Sequence, residues 1–177
     1  WVCEHDAVYT TGRRGCDNRT VATLPAPLVH TDRGGETTFH GPGQLMLYPL
    51  IDLRRRRLGV RDYVSLLEAS CIGLLERLGV AAQRRCGFPG VWTDRGKIAA
   101  LGVRVQHGVA YHGMALNVDV DPAWFACIDP CGLSLPVDRL ADHGLALPPD
   151  AELGGRWAAG FAALLPRQRH GAFTSAG

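Results

Sequence analysis

The pattern of hydrophobic and polar positions changes its period along the chain, and each period predicts a different element. From Val60 to Leu78 the apolar residues recur at helical spacing, and Gly79 follows at the C-cap position. The stripe consists of Tyr63, Val64, Leu67, Cys71, Leu74, Leu75 and Leu78. From Gly90 to Val120, β-type residues alternate around two turn signals, at 94–96 and 106–108. This pattern predicts a three-stranded antiparallel meander.

Shorter patterns complete the predicted fold. Residues 27–30 and 37–40 read as strands on either side of a Gly34-Gly35 turn, and residues 45–53 as a third, mostly buried strand. A short helix or turn follows Asp121-Pro122, and a final helix is expected over roughly 150–165. Strands in the centre with helices between and after them favour an α+β domain with a mixed or antiparallel sheet.

Composition narrows the class of protein. The chain has 177 residues, 46% of them hydrophobic and 20% charged, which suits a single globular domain over residues 1–177. A net charge of +2 does not suggest a nucleic-acid coat protein. No apolar run reaches the roughly 18 residues that cross a bilayer, and no signal peptide opens the sequence. We therefore expect a cytoplasmic location.

The six cysteines are expected to be reduced thiols rather than disulfides or metal ligands. They lack paired C-x-x-C spacing, so no metal site is predicted. Cys71 lies on the apolar helical stripe and reads as a buried hydrophobe. Cys131 differs, because Pro130 and Gly132 favour an exposed turn, where a nucleophilic thiol could work.

Three further features are ambiguous when taken alone. Lys97, after Asp94-Arg95-Gly96, reads first as a solvated lysine at a hairpin corner. His112 could be a core histidine or could line a pocket. The run Arg54–Arg57, with Arg61 one turn later, is either a solvated face or a docking surface for an acidic partner.

The order of these motifs is more informative than any one of them. The chain reads EHxxVxTxG from Glu4, R-G-G-x-x-T-F-H-G-P-G-Q, P-G-V-W, G-K-I-A-A-L-G-V-R, Y-H-G-M-A-L-N-V and P-C-G. This collinear series, up to about Gly132, closely resembles the lipoyl(octanoyl) transferases, also called lipoate-protein ligase B. The resemblance implies the fold shared by biotin and lipoate protein ligases. It also implies a segment before the first motif, since the family normally has one there.

The resemblance further implies an activity and a site. An octanoyl or lipoyl group would pass from acyl carrier protein to a lysine of a lipoyl domain, through a cysteine thioester, as the first step of endogenous protein lipoylation. The acceptors would be the lipoyl domains of 2-oxoacid dehydrogenases and the H protein of glycine cleavage. Cys131 would be the nucleophile and Lys97 its partner. The matching segments give the substrate-binding residues as Arg33, Gly34, Gly35, Glu36, Thr37, Thr38, Phe39, His40, Ala100, Leu101, Gly102, His112, Gly113, Met114 and Ala115.

These residue types suit that chemistry. A nearby ammonium lowers the pKa of a cysteine thiol, and a thioester donor is already activated, so we expect no metal, ATP or other cofactor. An octanoyl chain needs a narrow apolar tunnel, and we read Gly34, Gly35, Gly41, Gly43, Gly102 and Gly113 as positions of close backbone approach. His40 and His112 are secondary candidates for handling a proton.

Two alternatives stay open. The chain could be an ATP-dependent lipoate or biotin ligase of the same fold, which would not need Cys131. It could also be a non-catalytic module that binds acyl carrier protein through the Arg54–Arg57 run. We expect a monomer without nucleic-acid or membrane partners. The sequence does not indicate the acyl chain length or the preferred lipoyl domain.

Overall fold

The computed structural model describes residues 1–15, 24–128 and 136–167. In these residues a seven-stranded sheet has the order β1-β5-β10-β9-β8-β7, with β6 also paired to β10. A second, three-stranded sheet has the order β3-β2-β4. The strands are β1 Val2–Cys3, β2 Val8–Thr11, β3 Leu28–His30, β4 Thr38–His40, β5 Gln44–Leu47, β6 Ile51–Asp52, β7 Gln83–Arg85, β8 Phe88–Trp92, β9 Lys97–Gln106 and β10 Val109–Asn117. The helices are α1 Leu53–Arg56, α2 Val60–Arg77, α3 Ala123–Ala126 and α4 Asp150–Leu164, with a 3-10 turn at Leu140–His143.

The antiparallel meander predicted between Gly90 and Val120 is confirmed as β8, β9 and β10. The β9–β10 hairpin turns at His107 and Gly108, whose φ angles are 50° and 81°. Two consecutive residues with positive φ match the right-handed twist of the flanking strands, which is why such short hairpin loops are favoured. This hairpin extends across the centre of the larger sheet and supplies much of the site described below.

Helices α2 and α4 bury the apolar stripe predicted from the sequence. Leu67, Cys71 and Leu75 of α2 are fully buried, which confirms the structural assignment of Cys71. Gly79 follows the helix with φ 84°, in the left-handed conformation expected there. On α4, the indole N–H of Trp157 donates to the hydroxyl of Ser70, 3.0 Å away, so that the two helices are joined by a buried hydrogen bond.

A second, smaller core lies beside the three-stranded sheet. Phe39 stacks on Trp124 with ring centroids 4.7 Å apart, and Tyr9 meets Phe39 edge to face. Tyr9, Phe39, Val120 and Ile128 are its buried members. This core connects β2 and β4 to the helix α3 predicted around Trp124.

The strand predicted over 45–53 is interrupted. It forms β5 and β6, and the chain then enters α1. Pro49 cannot donate a main-chain hydrogen bond, and Asp52 caps α1 by accepting from the amides of Arg54 and Arg55. The arginine run therefore forms a short capped helix. No helix in the described ranges has the length and apolar character needed to cross a membrane.

Candidate active site

A cavity of about 710 Å³ is bounded by residues of both sheets. Most of its wall comes from β4, the loop before β4, and the central hairpin β9–β10. It is lined by His5, Val8, Thr10, Arg14, Val29, Thr31, Arg33, Gly34, Gly35, Glu36, Thr37, Thr38, His40, Met46, Tyr48, Gly87, Phe88, Pro89, Trp92, Lys97, Ala100, Leu101, Gly102, Val103, His112, Gly113, Met114, Ala115, Asn117, Phe125 and Val137. The size falls within the range of small-molecule sites.

The structure brings together most of the residues that the sequence assigned to substrate binding. Every such residue lines the cavity except Phe39. Successive side chains of a strand point to opposite faces, so Thr38 and His40 of β4 reach the cavity while Phe39 enters the second core. Gln44, Trp92 and Asn117 were not singled out in the sequence. The motifs quoted above nevertheless contain all three.

The glycines have a different use from the expected one at several positions. A Cβ on Gly113 would lie 2.0 Å from the carbonyl oxygen of Leu47, and one on Gly43 would lie within 3.0 Å of Asp119 and Val120 main-chain atoms. These glycines let strands and loops of the protein approach each other. Gly41 and Gly43 do not line the cavity. Gly34, Gly35, Gly102 and Gly113, by contrast, are in its wall.

Arg33 is buried at the cavity wall, with 8% of its surface exposed. Its guanidinium donates to the carbonyl oxygen and hydroxyl of Thr10, at 2.7 and 2.8 Å, and to the carbonyl of Gly34, at 3.0 Å. Burial lowers its pKa from the ordinary value. Within the described part of the chain no carboxylate forms an ion pair with Arg33. The side chain therefore fixes the Gly34-Gly35 loop to β2.

A buried polar network crosses the site from β4 to β9. Nδ1 of His40 lies 3.1 Å from Oε1 of Gln44, and the amide nitrogen of Gln44 donates to Oδ1 of Asn117 at 2.9 Å. The amide nitrogen of Asn117 donates to the carbonyls of Asp138, at 3.0 Å, and Lys97, at 3.4 Å. Burial lowers the pKa of His40 to about 4, and the nearby charge of Arg33 acts in the same direction. His40 is therefore neutral at pH 7.

Lys97 lies at the start of β9 with its ammonium 4.8 Å from the ring centroid of Trp92, a cation–π contact. The same ring also faces the guanidinium of Arg85 at 4.6 Å. The main chain of Lys97 donates to the carbonyl of Pro136, at 2.9 Å, and accepts from the amide of Asp138, at 3.1 Å. These bonds attach Lys97 to the chain that follows Cys131 in the sequence.

Asp138 is the polar anchor of that chain. It is almost completely buried, and it accepts hydrogen bonds from the hydroxyl of Thr93 and the amide of Arg139. Its carboxylate also lies 2.9 Å from Nε2 of His143. Cys131 itself lies in 129–135, outside the described residues, so its contact with Lys97 stays a prediction.

His112 forms a polar cluster beside the cavity. Its Nε2 lies 2.7 Å from Asp32, which also accepts a hydrogen bond from the hydroxyl of Tyr111. His112 has φ 58°, and this departure from regular strand geometry lets two consecutive side chains reach one carboxylate. The hydrogen bonds from His112 and Tyr111 lower the pKa of Asp32. In the described residues no group of three or more His, Cys, Asp or Glu side chains is arranged to hold a metal ion.

Comparison with known proteins defines the class to which this fold and cavity belong. The family model of the lipoyl protein ligase A/B catalytic domain matches residues 1–153. A bi-partite lipoate protein ligase from Thermoplasma acidophilum has a TM-score of 0.71 at 16% identity, over 92% of this chain and 69% of its own. A biotin protein ligase from Aquifex aeolicus has a TM-score of 0.55 at 10% identity, over 91% of this chain and 68% of its own. These structures establish the fold, which confirms the expected biotin and lipoate ligase-like architecture.

Curated sequences resolve the class further. The octanoyltransferase of Halorhodospira halophila is 50% identical over 158 residues, covering 87% of this chain and 73% of its own length. That of Aromatoleum aromaticum is 51% identical over 147 residues, covering 82% of this chain and 64% of its own length. The chain therefore belongs to the lipoyl protein ligase A/B catalytic domain family, and within it to the lipoyl(octanoyl) transferases. By this membership it is an acyltransferase enzyme of protein lipoylation.

Proposed function

We propose that this chain transfers an octanoyl or lipoyl group from acyl carrier protein to a lysine of a lipoyl domain, with Cys131 as the covalent carrier. The observation that carries the proposal is the cavity, in whose wall Lys97 lies beside Ala100, Leu101 and Met114. An alkyl chain offers no hydrogen-bonding group and needs apolar wall, whereas the reactive carbonyl needs polar or charged groups, and the cavity lining supplies both.

The position of the lysine supports its role. Phe125 and Val137, which flank Cys131 in the sequence, both line the cavity with Lys97. The ammonium of Lys97 rests on the face of Trp92, a contact that helps to position it at the cavity wall. A cation held near the thiol would favour the thiolate of Cys131, which is the nucleophilic form. Asp138 and the carbonyl of Pro136 fix the chain after Cys131 against this lysine.

The proposed reaction has two steps. The thiolate of Cys131 attacks the thioester carbonyl of the donor, and the donor thiolate leaves as the carbon–sulfur bond breaks. The neutral amine of the acceptor lysine then attacks the new thioester, an amide bond forms, and the thiolate of Cys131 is released. The proton lost by the amine ends on the released thiolate of Cys131, either directly or through a relay in which the Lys97 ammonium gives a proton to the thiolate and then receives one from the amine. Main-chain amides near Cys131 and Gly113 would stabilise the oxyanion of each tetrahedral intermediate.

Intact-protein mass spectrometry after mixing with octanoyl-acyl carrier protein tests the proposal. We expect an added octanoyl mass that hydroxylamine removes and that Cys131→Ala abolishes. Cys86→Ala, which replaces an exposed thiol, is the matched control and should load normally. Loading of the Cys131→Ala protein, or unchanged overall transfer by Cys131→Ser, would reject the thioester mechanism.

The ATP-dependent alternative is tested in the same assay. Octanoic acid with ATP should give no octanoylated lipoyl domain if the donor must be a thioester. Transfer from the free acid, dependent on ATP and retained in Cys131→Ala, would instead favour a ligase.

A further inference from the structure

The buried network fixes which nitrogen of His40 carries the proton. The carbonyl oxygens of Asp138 and Lys97 can only accept hydrogen bonds, so the group of Asn117 that faces them must be its NH₂. Its Oδ1 is then an acceptor, and the group of Gln44 that faces it must also be an NH₂. Oε1 of Gln44 therefore accepts from His40, which places the proton on Nδ1.

The second ring nitrogen of His40 consequently carries a lone pair. His40 lines the cavity, and in the described residues Nε2 has no hydrogen-bond partner. Burial opposes protonation of the imidazole, and so do the nearby charge of Arg33 and the ring of His5, 6.2 Å away, whereas the hydrogen bond to Gln44 acts the other way; the net effect lowers the pKa of His40. His40 thus differs from His112, whose Nε2 is hydrogen-bonded to the carboxylate of Asp32.

We propose that Nε2 of His40 is a fixed hydrogen-bond acceptor for the N–H group of the attacking amine. The ligand in this proposal rests on the proposed function, whereas the tautomer does not. An amine attacks a thioester only when it is neutral, and it then has N–H groups to donate as well as a lone pair. A neutral acceptor orients that amine without adding another positive charge to a cavity wall that already contains Arg33 and Lys97. Gln44 and Asn117 act as positioning residues.

The tautomer is tested on the wild-type protein by ¹⁵N NMR of labelled histidine, with His40→Asn to assign the signal. We expect an Nδ1-protonated, neutral ring at pH 7 that stays neutral down to pH 5.5. Gln44→Met, which removes the acceptor, should change the ratio of tautomers. A ring protonated on Nε2, or one that titrates near pH 6.5, would overturn the inference whatever the enzyme's activity.

The ligand is tested by measuring the two half-reactions separately. Asparagine at position 40 can still donate to Gln44 but offers no acceptor at the position of Nε2, whereas glutamine can place an oxygen there. We expect His40→Asn to slow discharge of the octanoyl enzyme to a lipoyl domain about two- to tenfold, the effect of one neutral hydrogen bond. Loading from octanoyl-acyl carrier protein should slow less than discharge does, and His40→Gln should recover part of the loss in discharge.

Slower loading with normal discharge in His40→Asn would show that the N–H group that donates to Nε2 belongs to the thioester arm of the donor. That result would overturn the assignment of this group to the attacking amine. Equal discharge by wild type and His40→Asn would overturn the acceptor role. A wild-type protein that never loads would refute the proposed function, while the NMR measurement would still decide the tautomer.

Discussion

Gly113→Ala should destabilise the protein more than Gly102→Ala, which replaces the other glycine in a strand of the central hairpin. The added Cβ would lie 2.0 Å from the carbonyl oxygen of Leu47 and 3.0 Å from Cδ of Pro49, whereas ordinary contacts begin at 3.4 Å. The obstacle is main chain in the adjacent strand β5, so it cannot be relieved by a rotamer change. Strands β5 and β10 must separate, with loss of packing and of ladder hydrogen bonds.

The size of the effect follows from this geometry. Overpacking of a buried site lowers the free energy of unfolding by about 1–3 kcal/mol. Because the clash here is with main-chain atoms, we expect a loss of about 3 kcal/mol or more. For a chain of this length each kcal/mol lowers Tm by about 2–4 °C. We therefore expect Gly113→Ala to lower Tm by about 6–12 °C, measured by thermal unfolding followed by circular dichroism.

Two other glycines provide a graded comparison. A Cβ on Gly102 would lie 3.0 Å from Cδ of Arg33 and from the carbonyl of Gly34, so Gly102→Ala should cost less, about 1 kcal/mol. Gly155 is on α4 with nothing within 4 Å of an added Cβ, and Gly155→Ala should raise stability by about 0.5–1 kcal/mol. A Tm of Gly113→Ala within 2 °C of wild type would refute the reasoning.

Three more perturbations test separate features. The pKa of His40 is about 4 in the folded protein, below its ordinary 6.5, so the unfolded state binds more protons between these two pH values. The free energy of unfolding, measured by urea titration, should therefore fall by on the order of 3 kcal/mol from pH 7 to pH 4. The fall should be smaller in His40→Asn. Ser70→Ala leaves the buried indole N–H of Trp157 without its acceptor and should cost about 1–3 kcal/mol by urea unfolding. Arg55→Gln with Arg61→Gln should raise KM for the acidic donor severalfold, weaken its salt dependence and leave kcat unchanged.

Each of these has a matched control and a contradicting result. If the free energy of unfolding of His40→Asn depends on pH as it does in the wild type, His40 is not the group responsible for that dependence. Ser65→Ala, at an exposed position of α2, should be near neutral, and equal costs for Ser65 and Ser70 would remove the role of the hydrogen bond. Arg156→Gln on α4 should leave KM unchanged, and a KM equal to wild type in the Arg55/Arg61 variant would show that the run is only a solvated face.

Much of the larger sheet could be predicted because its signals are local. The hairpin at His107-Gly108 and the helix ending before Gly79 depend on residues close together in the chain. Strands β1, β2 and β7 were missed. β1 has only two residues, β7 consists of three exposed polar residues with no apolar alternation, and β2 owes its pairing to partners distant in sequence. The break after Leu47 was missed because its causes are a proline and a capping side chain inside an otherwise apolar run.

The sequence alone determined the family, the order of the motifs and the set of side chains able to form an acyl-transfer site. These depend on residue types and their order, which are read directly. Only the tertiary structure decided that Phe39 faces a second core, that Gly113 lies against a main-chain carbonyl, and that the proton of His40 sits on Nδ1. The reason is that each of these depends on atoms from strands distant in sequence. The direction of the Gln44 and Asn117 amides, in particular, is set by carbonyls that only folding brings beside them.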